Sequence, residues 1–86
     1  MNQSDAVVYV GMSADILHKG HLLLLQRAAE LGRVVVGLLT DEAISSYKQP
    51  PLLTFAERLD AVISLANVGE VIPQYSLDYT ENLRKV

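Results

Sequence analysis

The sequence predicts an α/β domain on a Rossmann-like parallel sheet, with elements in the order βαβαβα. Three observations predict it. Two continuous valine-rich runs, Ala6–Met12 and Val34–Leu39, read as strands covered on both faces. A helix-length segment lies between them and ends at a glycine. A second helix-length segment then leads to a shorter apolar run around Val71–Pro73. Strands that alternate with helices pair in parallel through right-handed crossovers.

Each element has a local cause. After the first strand, the turn Met12–Asp15 leads to His18-Lys19-Gly20-His21, which opens a helix-like segment His21–Leu31. Gly32 sits just past its last turn, where glycine commonly ends a helix. Leu22, Leu25 and Ala29 can line one stripe of this helix, and Leu24, Ala28 and Leu31 the adjoining one. The Leu22–Leu25 run is therefore assigned to the core. After the second strand, Thr40 and Asp41 suit the N-cap of a short helix. Ser45–Leu53, with Pro50-Pro51, reads as a mobile loop. Thr54 with Glu57 three residues on is a capping-box pattern, and it starts a helix whose apolar face includes Phe55, Leu59, Val62, Ile63 and Ala66.

Composition narrows the function classes. A chain of 86 residues makes one small domain, burying roughly 60–65 % of its unfolded surface. Half of the residues are hydrophobic and a fifth are charged, which is not the composition of a disordered chain. The net charge of −3 argues against a general nucleic-acid or anionic-membrane surface. There is no cysteine, so thiol catalysis and disulfides are excluded. The apolar runs are too short to span a membrane, and Met1–Asp5 is too polar for a signal peptide. These features fit a cytoplasmic enzyme.

The chemistry-bearing feature is the pair His18 and His21 at a helix start. The first N–H groups of a helix lack partners and carry the positive end of its dipole, so a strand feeding a helix makes an anion site. Residues three apart share a face, so both imidazoles can reach one anion, and Gly20 leaves room for a phosphate beside the backbone. Two other readings exist for these residues: a solvated surface turn, or a metal site, because Asp15, His18 and His21 are evenly spaced. In a parallel sheet, ligands bind at the carboxyl ends of the strands. Met12–Asp15, His18, Gly20, Thr40 and Asp41 all fall there.

From Tyr9 through His21, Tyr-Val-Gly-Met-Ser-Ala-Asp-Ile-Leu-His-Lys-Gly-His resembles the first signature of the cytidylyltransferase-like nucleotidyltransferases. The likeness continues through Val36–Glu42, Lys48 and Glu57-Arg58. Leu77-Asp78-Tyr79 with Asn82–Lys85 resembles the cytidylyltransferases of phosphonate biosynthesis, including those fused to phosphoenolpyruvate mutase. Altogether the resemblance covers Ala6 to Val86. It implies the adenine-nucleotide alpha-hydrolase type of nucleotidyltransferase fold in truncated form, residues 1–86 being a single, incomplete domain. In the family, later strands pair on the other side of the first strand. Without them that strand is a bare edge, and self-association is expected. One departure stands out. Many members have glycine where this chain has Met12, so the turn must be made by Gly11 or by Ser13 and Ala14.

The resemblance also implies a reaction and roles. CTP and a small phosphonate or phosphomonoester would give the CMP adduct and pyrophosphate. An adenylyltransferase using ATP is the alternative within the class, and a non-catalytic nucleotide-binding or assembly module is the alternative outside it. His18, His21 and Lys48 would be catalytic, the imidazoles donating to polyphosphate most strongly as cations. Gly11, Met12, Ser13, Ala14, Asp15, Gly20 and Thr40 would bind the nucleotide, and Asp78 and Tyr79 the acceptor. Mg²⁺ would enter with CTP, held mainly by the nucleotide's own phosphates, with no dedicated metal ligands. Several residues carry a structural alternative as well: Asp15 as a cap, Thr40 and Asp41 as the start of a short helix, Arg58 as an ion pair that supports the site.

Overall fold

The computed structural model describes residues 6–15, 17–47, 49–78 and 80–84. The element order is β1 (Val7–Met12), α1 (Lys19–Leu31), β2 (Arg33–Leu39), α2 (Asp41–Ser45), α3 (Phe55–Ile63), β3 (Glu70–Gln74) and α4 (Thr80–Leu83). The three strands form one parallel sheet in the order β1-β2-β3. Val10 pairs with Val36, and Val36 with Val71, so the strands stand in register across the middle of the sheet. This is the predicted Rossmann-like arrangement, with α2 and α3 sharing the second crossover. Pro73 lies in β3, an edge strand, where a residue without an N–H is tolerated.

The centre of the sheet is β2, buried from Val34 to Leu39 because it has a neighbour on either side. Alternation sends Val34, Val36 and Leu38 to one face, where they pack with Leu25 and Ala28 of α1, Val62 of α3, Met12 and Ala14. Burying each such aliphatic side chain contributes about 1.5–3 kcal/mol. The other face is smaller: Leu39 packs with Ala43 and Ile44 of α2.

The same second face carries a buried polar cluster. Tyr9 crosses β2 at Gly37 and donates its hydroxyl to Gln74 Oε1 on β3. A Cβ at position 37 would fall 1.6 Å from that hydroxyl oxygen, so only glycine permits the crossing. Asn82 Nδ2 donates to Tyr9 Oη and to the Pro73 carbonyl, both at 2.9 Å, which docks α4 on the sheet. Gln74 Nε2 donates to the Ser76 carbonyl at 2.9 Å. Every member has a partner, as buried polar groups require. Burial raises the Tyr9 pKa above its ordinary value, and the Asn82 hydrogen bond opposes that.

Two predicted packing faces are corrected. In α1 only Leu25 and Ala28 are buried. Leu22, Leu23 and Leu24 are 46 %, 53 % and 51 % exposed and Leu31 is 67 % exposed, so of the leucine run only Leu25 is core. The reason is tertiary: α1 packs across β1 and β2, Leu24 and Leu31 stand beside Val8 and Val10 of β1, and β1 is an edge with nothing beyond it among the described residues. In α3, Phe55, Leu59 and Val62 pack inward, but Ile63 is exposed at the last position and Ala66 lies beyond the helix end. The Thr54–Glu57 capping box is present as predicted.

Candidate functional site

The turn after β1 answers the question that Met12 raised. Ala14 has φ 56°, in the left-handed region, and its methyl is buried in the core. Ala14 therefore makes the turn, while Gly11 stays within β1. A non-glycine residue in this conformation costs of order 1 kcal/mol or more, and such outliers cluster at functional sites. The Met12 side chain also packs in the core. Met12 and Ala14 thus offer a ligand their backbone rather than their side chains.

α1 begins at Lys19, earlier than predicted, because His18 is its N-cap. His18 Nδ1 accepts the Gly20 N–H at 2.9 Å, and His21 Nδ1 accepts the His18 N–H at 3.2 Å. Two histidines thus form a reciprocal capping box. Gly20 serves this cap: a Cβ there would lie 2.7 Å from His18 Cε1. The lack of a side chain at Gly20 thus clears space for the His18 ring. The ring centroids stand 4.2 Å apart, tilted by 54°.

The cap fixes the proton. A ring nitrogen that accepts from a backbone N–H has a free lone pair, so each neutral imidazole carries its proton on Nε2. Both Nε2–H groups point away from the backbone donors. Burial, and then the charge of neighbouring His18, lower the His21 pKa from its ordinary value of 6.5. With both rings neutral, the pair offers two Nε2–H donors at a helix N-terminus.

Arg58 organises the rest. Its side chain is fully buried, at 0 % exposure, at the carboxyl ends of the strands. Nη1 donates to the carbonyls of Ser13 and Leu39, each at 2.7 Å, and Nε donates to the Leu53 carbonyl at 3.3 Å. Nη2 donates to Asp41 Oδ1 at 2.6 Å, completing an ion pair. One guanidinium thus joins the turn after β1, the end of β2, the start of α2 and the approach to α3. This is the supporting ion pair expected of Arg58, with three carbonyls added.

The other predicted residues have plain positions. Thr40 caps α2, its hydroxyl accepting the Ala43 N–H at 3.2 Å. The Asp15 carboxylate accepts from the N–H groups of Leu52 and Leu53, far along the chain. Asp78 Oδ1 accepts from the N–H and hydroxyl of Thr80 at the start of α4, at 3.0 and 2.6 Å, and these bonds hold its pKa below the ordinary value. Lys48 and Tyr79 lie outside the described residues. The turn brings Ser13, Ala14, His18, Gly20 and His21 together, and Arg58 ties Thr40's neighbours Leu39 and Asp41 to it. Among the described residues no group of three His, Cys, Asp or Glu side chains is placed to hold a metal, so the even spacing of Asp15, His18 and His21 does not become a ligand set.

The Tyr9–Gln74–Asn82 cluster was not anticipated. Its members lie 65 and 73 positions apart and share no local pattern. A groove of about 650 Å³ runs along the open edge of β1, lined by Val8, Val10, Leu24, Leu31, Tyr9 and Gln74 among others. Neither histidine lines it. The groove is mostly apolar and marks the bare strand edge.

Known proteins place this geometry. A family model described as Cytidylyltransferase-like matches residues 9–86. The ethanolamine-phosphate cytidylyltransferase of Dictyostelium discoideum is 44 % identical over 71 residues, covering 81 % of this chain and 20 % of that protein. The Arabidopsis thaliana enzyme of the same name is 37 % identical over 79 residues, covering 91 % and 19 %. The phosphopantetheine adenylyltransferase of Pyrobaculum aerophilum is 35 % identical over 75 residues, covering 86 % and 47 %. The chain thus spans about a fifth of the two cytidylyltransferases. A lipopolysaccharide core biosynthesis protein from Thermoplasma volcanium superposes with a TM-score of 0.86 at 26 % identity, over 93 % of this chain and 66 % of that one. With the histidine-capped helix after β1 and a match over residues 9–86, the chain belongs to the cytidylyltransferase-like family of nucleotidyltransferases.

Proposed function

We propose that this chain carries the polyphosphate-binding part of a cytidylyltransferase centre, which transfers CMP from CTP to a small phosphomonoester or phosphonate. The observation that carries the reading is the paired Nε2–H edge of His18 and His21 at the start of α1. In the reaction an acceptor oxygen attacks the α-phosphorus, and the bond to the bridging oxygen breaks. Pyrophosphate leaves with that electron pair. Charge grows on the equatorial and leaving oxygens, and fixed donors aimed there lower the barrier without reorganising. His18 and His21 supply two such donors, and the N-terminal amides of α1 add the helix dipole. Arg58 keeps the turn rigid through the Ser13 carbonyl. Lys48 would add positive charge from the loop between α2 and α3.

The donor set suits a metal that arrives with the nucleotide. The carboxylates of Asp15 and Asp41 are both committed to protein donors. Mg²⁺ would bind the triphosphate and neutralise part of its charge. The ethanolamine-phosphate cytidylyltransferases among the relatives favour CTP and a phosphomonoester. The phosphopantetheine adenylyltransferase keeps ATP as the second reading.

Titration of the chain with CTP and with ATP, each with Mg²⁺, followed by the His18 and His21 ring resonances, separates the two. CTP should shift both rings at lower concentration than ATP. In a chain extended to the length of its relatives, His18→Ala or His21→Ala should lower pyrophosphate release by ~100-fold, the scale of losing one oxyanion donor. A variant that keeps near-wild-type release sinks the assignment.

A further inference from the structure

One side chain ties the loop between α2 and α3 to the histidine turn. Asp15 Oδ2 accepts the Leu52 N–H at 3.1 Å, and Oδ1 accepts the Leu53 N–H at 3.0 Å. Each oxygen takes one amide, and both bonds are charge-assisted, which makes them stronger than neutral ones. The partners lie 37 and 38 positions away, so this is a tertiary contact and not a local turn. Leu52 is 80 % exposed, so burial of its side chain does not hold the segment there. The Leu53 residue is gripped from both ends: its N–H by Asp15 and its carbonyl by Arg58 Nε. Arg58 in turn binds the Ser13 carbonyl, two residues before Asp15.

We propose that Asp15 is a positioning residue, a latch that locks the segment 49–53 to the histidine turn so that the two meet a polyphosphate as one body. Its ligand rests on the nucleotidyltransferase reading above; the latch itself rests on the geometry alone. Asp15 then acts through the backbone of the loop rather than by touching the nucleotide.

Amide hydrogen exchange on the full chain tests the latch without any need for turnover. In Asp15→Ala, the Leu52 and Leu53 amides should exchange at least tenfold faster, while the Val36 amide in the middle of β2 is unchanged. In Asp15→Asn one acceptor oxygen remains, so at least one of the two amides should speed up by that factor. The Asn variant decides the matter if the Ala variant does not fold. CTP with Mg²⁺ should bind the Ala variant about tenfold more weakly than wild type. Unchanged Leu52 and Leu53 exchange overturns the latch. So does acceleration that extends equally to Val36, which would mean a general loss of stability. Wild-type CTP affinity in a variant whose latch has opened overturns the positioning role. If the wild type itself binds no CTP, the nucleotide reading fails, while the exchange pattern still decides the latch.

Discussion

The carboxyl end and the outer edge of β1 are finished in opposite ways. At its carboxyl end, Arg58 and Asp15 join the turn to β2, α2 and the approach to α3 through hydrogen bonds that span long stretches of sequence, and the two histidines cap α1 beside them. Along its outer edge the same strand has no neighbour among the described residues, and leucines of α1 stand over it in solvent. A site that must hold fixed donors needs rigidity, and directional polar bonds supply it. An apolar edge specifies only that something apolar should cover it.

The largest effect should come from breaking the polar end. Arg58→Ala leaves the buried carbonyls of Leu39 and Ser13 without a donor and opens a cavity. Asp41 is partly exposed, so the cost comes from the carbonyls left unsatisfied, about 1–3 kcal/mol each, and from the cavity. A domain of this size has stability of order 5 kcal/mol, so the variant should be largely unfolded in a denaturant titration. Arg58→Lys should recover little, because a single ammonium cannot reach four acceptors in a fork. A stable Arg58→Ala chain would show that the turn is held by packing alone.

A middling effect is expected at the apolar edge. Self-association through β1 should appear as a concentration-dependent sedimentation coefficient. The double substitution Leu24→Lys, Leu31→Lys should weaken that association at least tenfold and leave the melting temperature within a few degrees, because both side chains are already half or more exposed. A wild-type chain that sediments as a monomer at all concentrations would show that the edge is tolerated in water.

The smallest effect concerns the histidine cap. The folded-state pKa of His21 lies below its ordinary 6.5. A group lowered in this way contributes stability above the ordinary value and loses it as pH falls through the folded value. Protonation also places a hydrogen on the Nδ1 that accepts from His18. The His18 amide should therefore exchange faster, relative to the intrinsic rate, as pH falls from 7 toward 5, while the Arg58 contacts hold. Equal protection across that range would mean that the His21 ring does not cap as a neutral acceptor.

The order of strands and helices was legible from the sequence because each element carries its own signal. Valine-rich runs marked β1 and β2, and Thr54 with Glu57 marked the start of α3. His18 and His21 were legible as a pair because their spacing is local. Their roles as N-cap and N3 were not: Nδ1 becomes an acceptor only once the helix starts at Lys19.

The sequence by itself determined the α/β order, the Thr40 and Thr54 caps and the pair of histidines at the start of α1. Each of these depends on residues within a few positions of each other, where backbone geometry sets the contacts, and the parallel sheet follows from the alternation of strands and helices. Tertiary structure alone decided that Leu22, Leu23 and Leu24 stay exposed, that Ala14 makes the turn, that Asp15 grips Leu52 and Leu53, and that Tyr9 meets Gln74 and Asn82. Those outcomes depend on which strand is an edge and which loops meet at the strand ends. Apolar periodicity says that a face wants cover, but only the packed arrangement of distant segments decides whether cover is there.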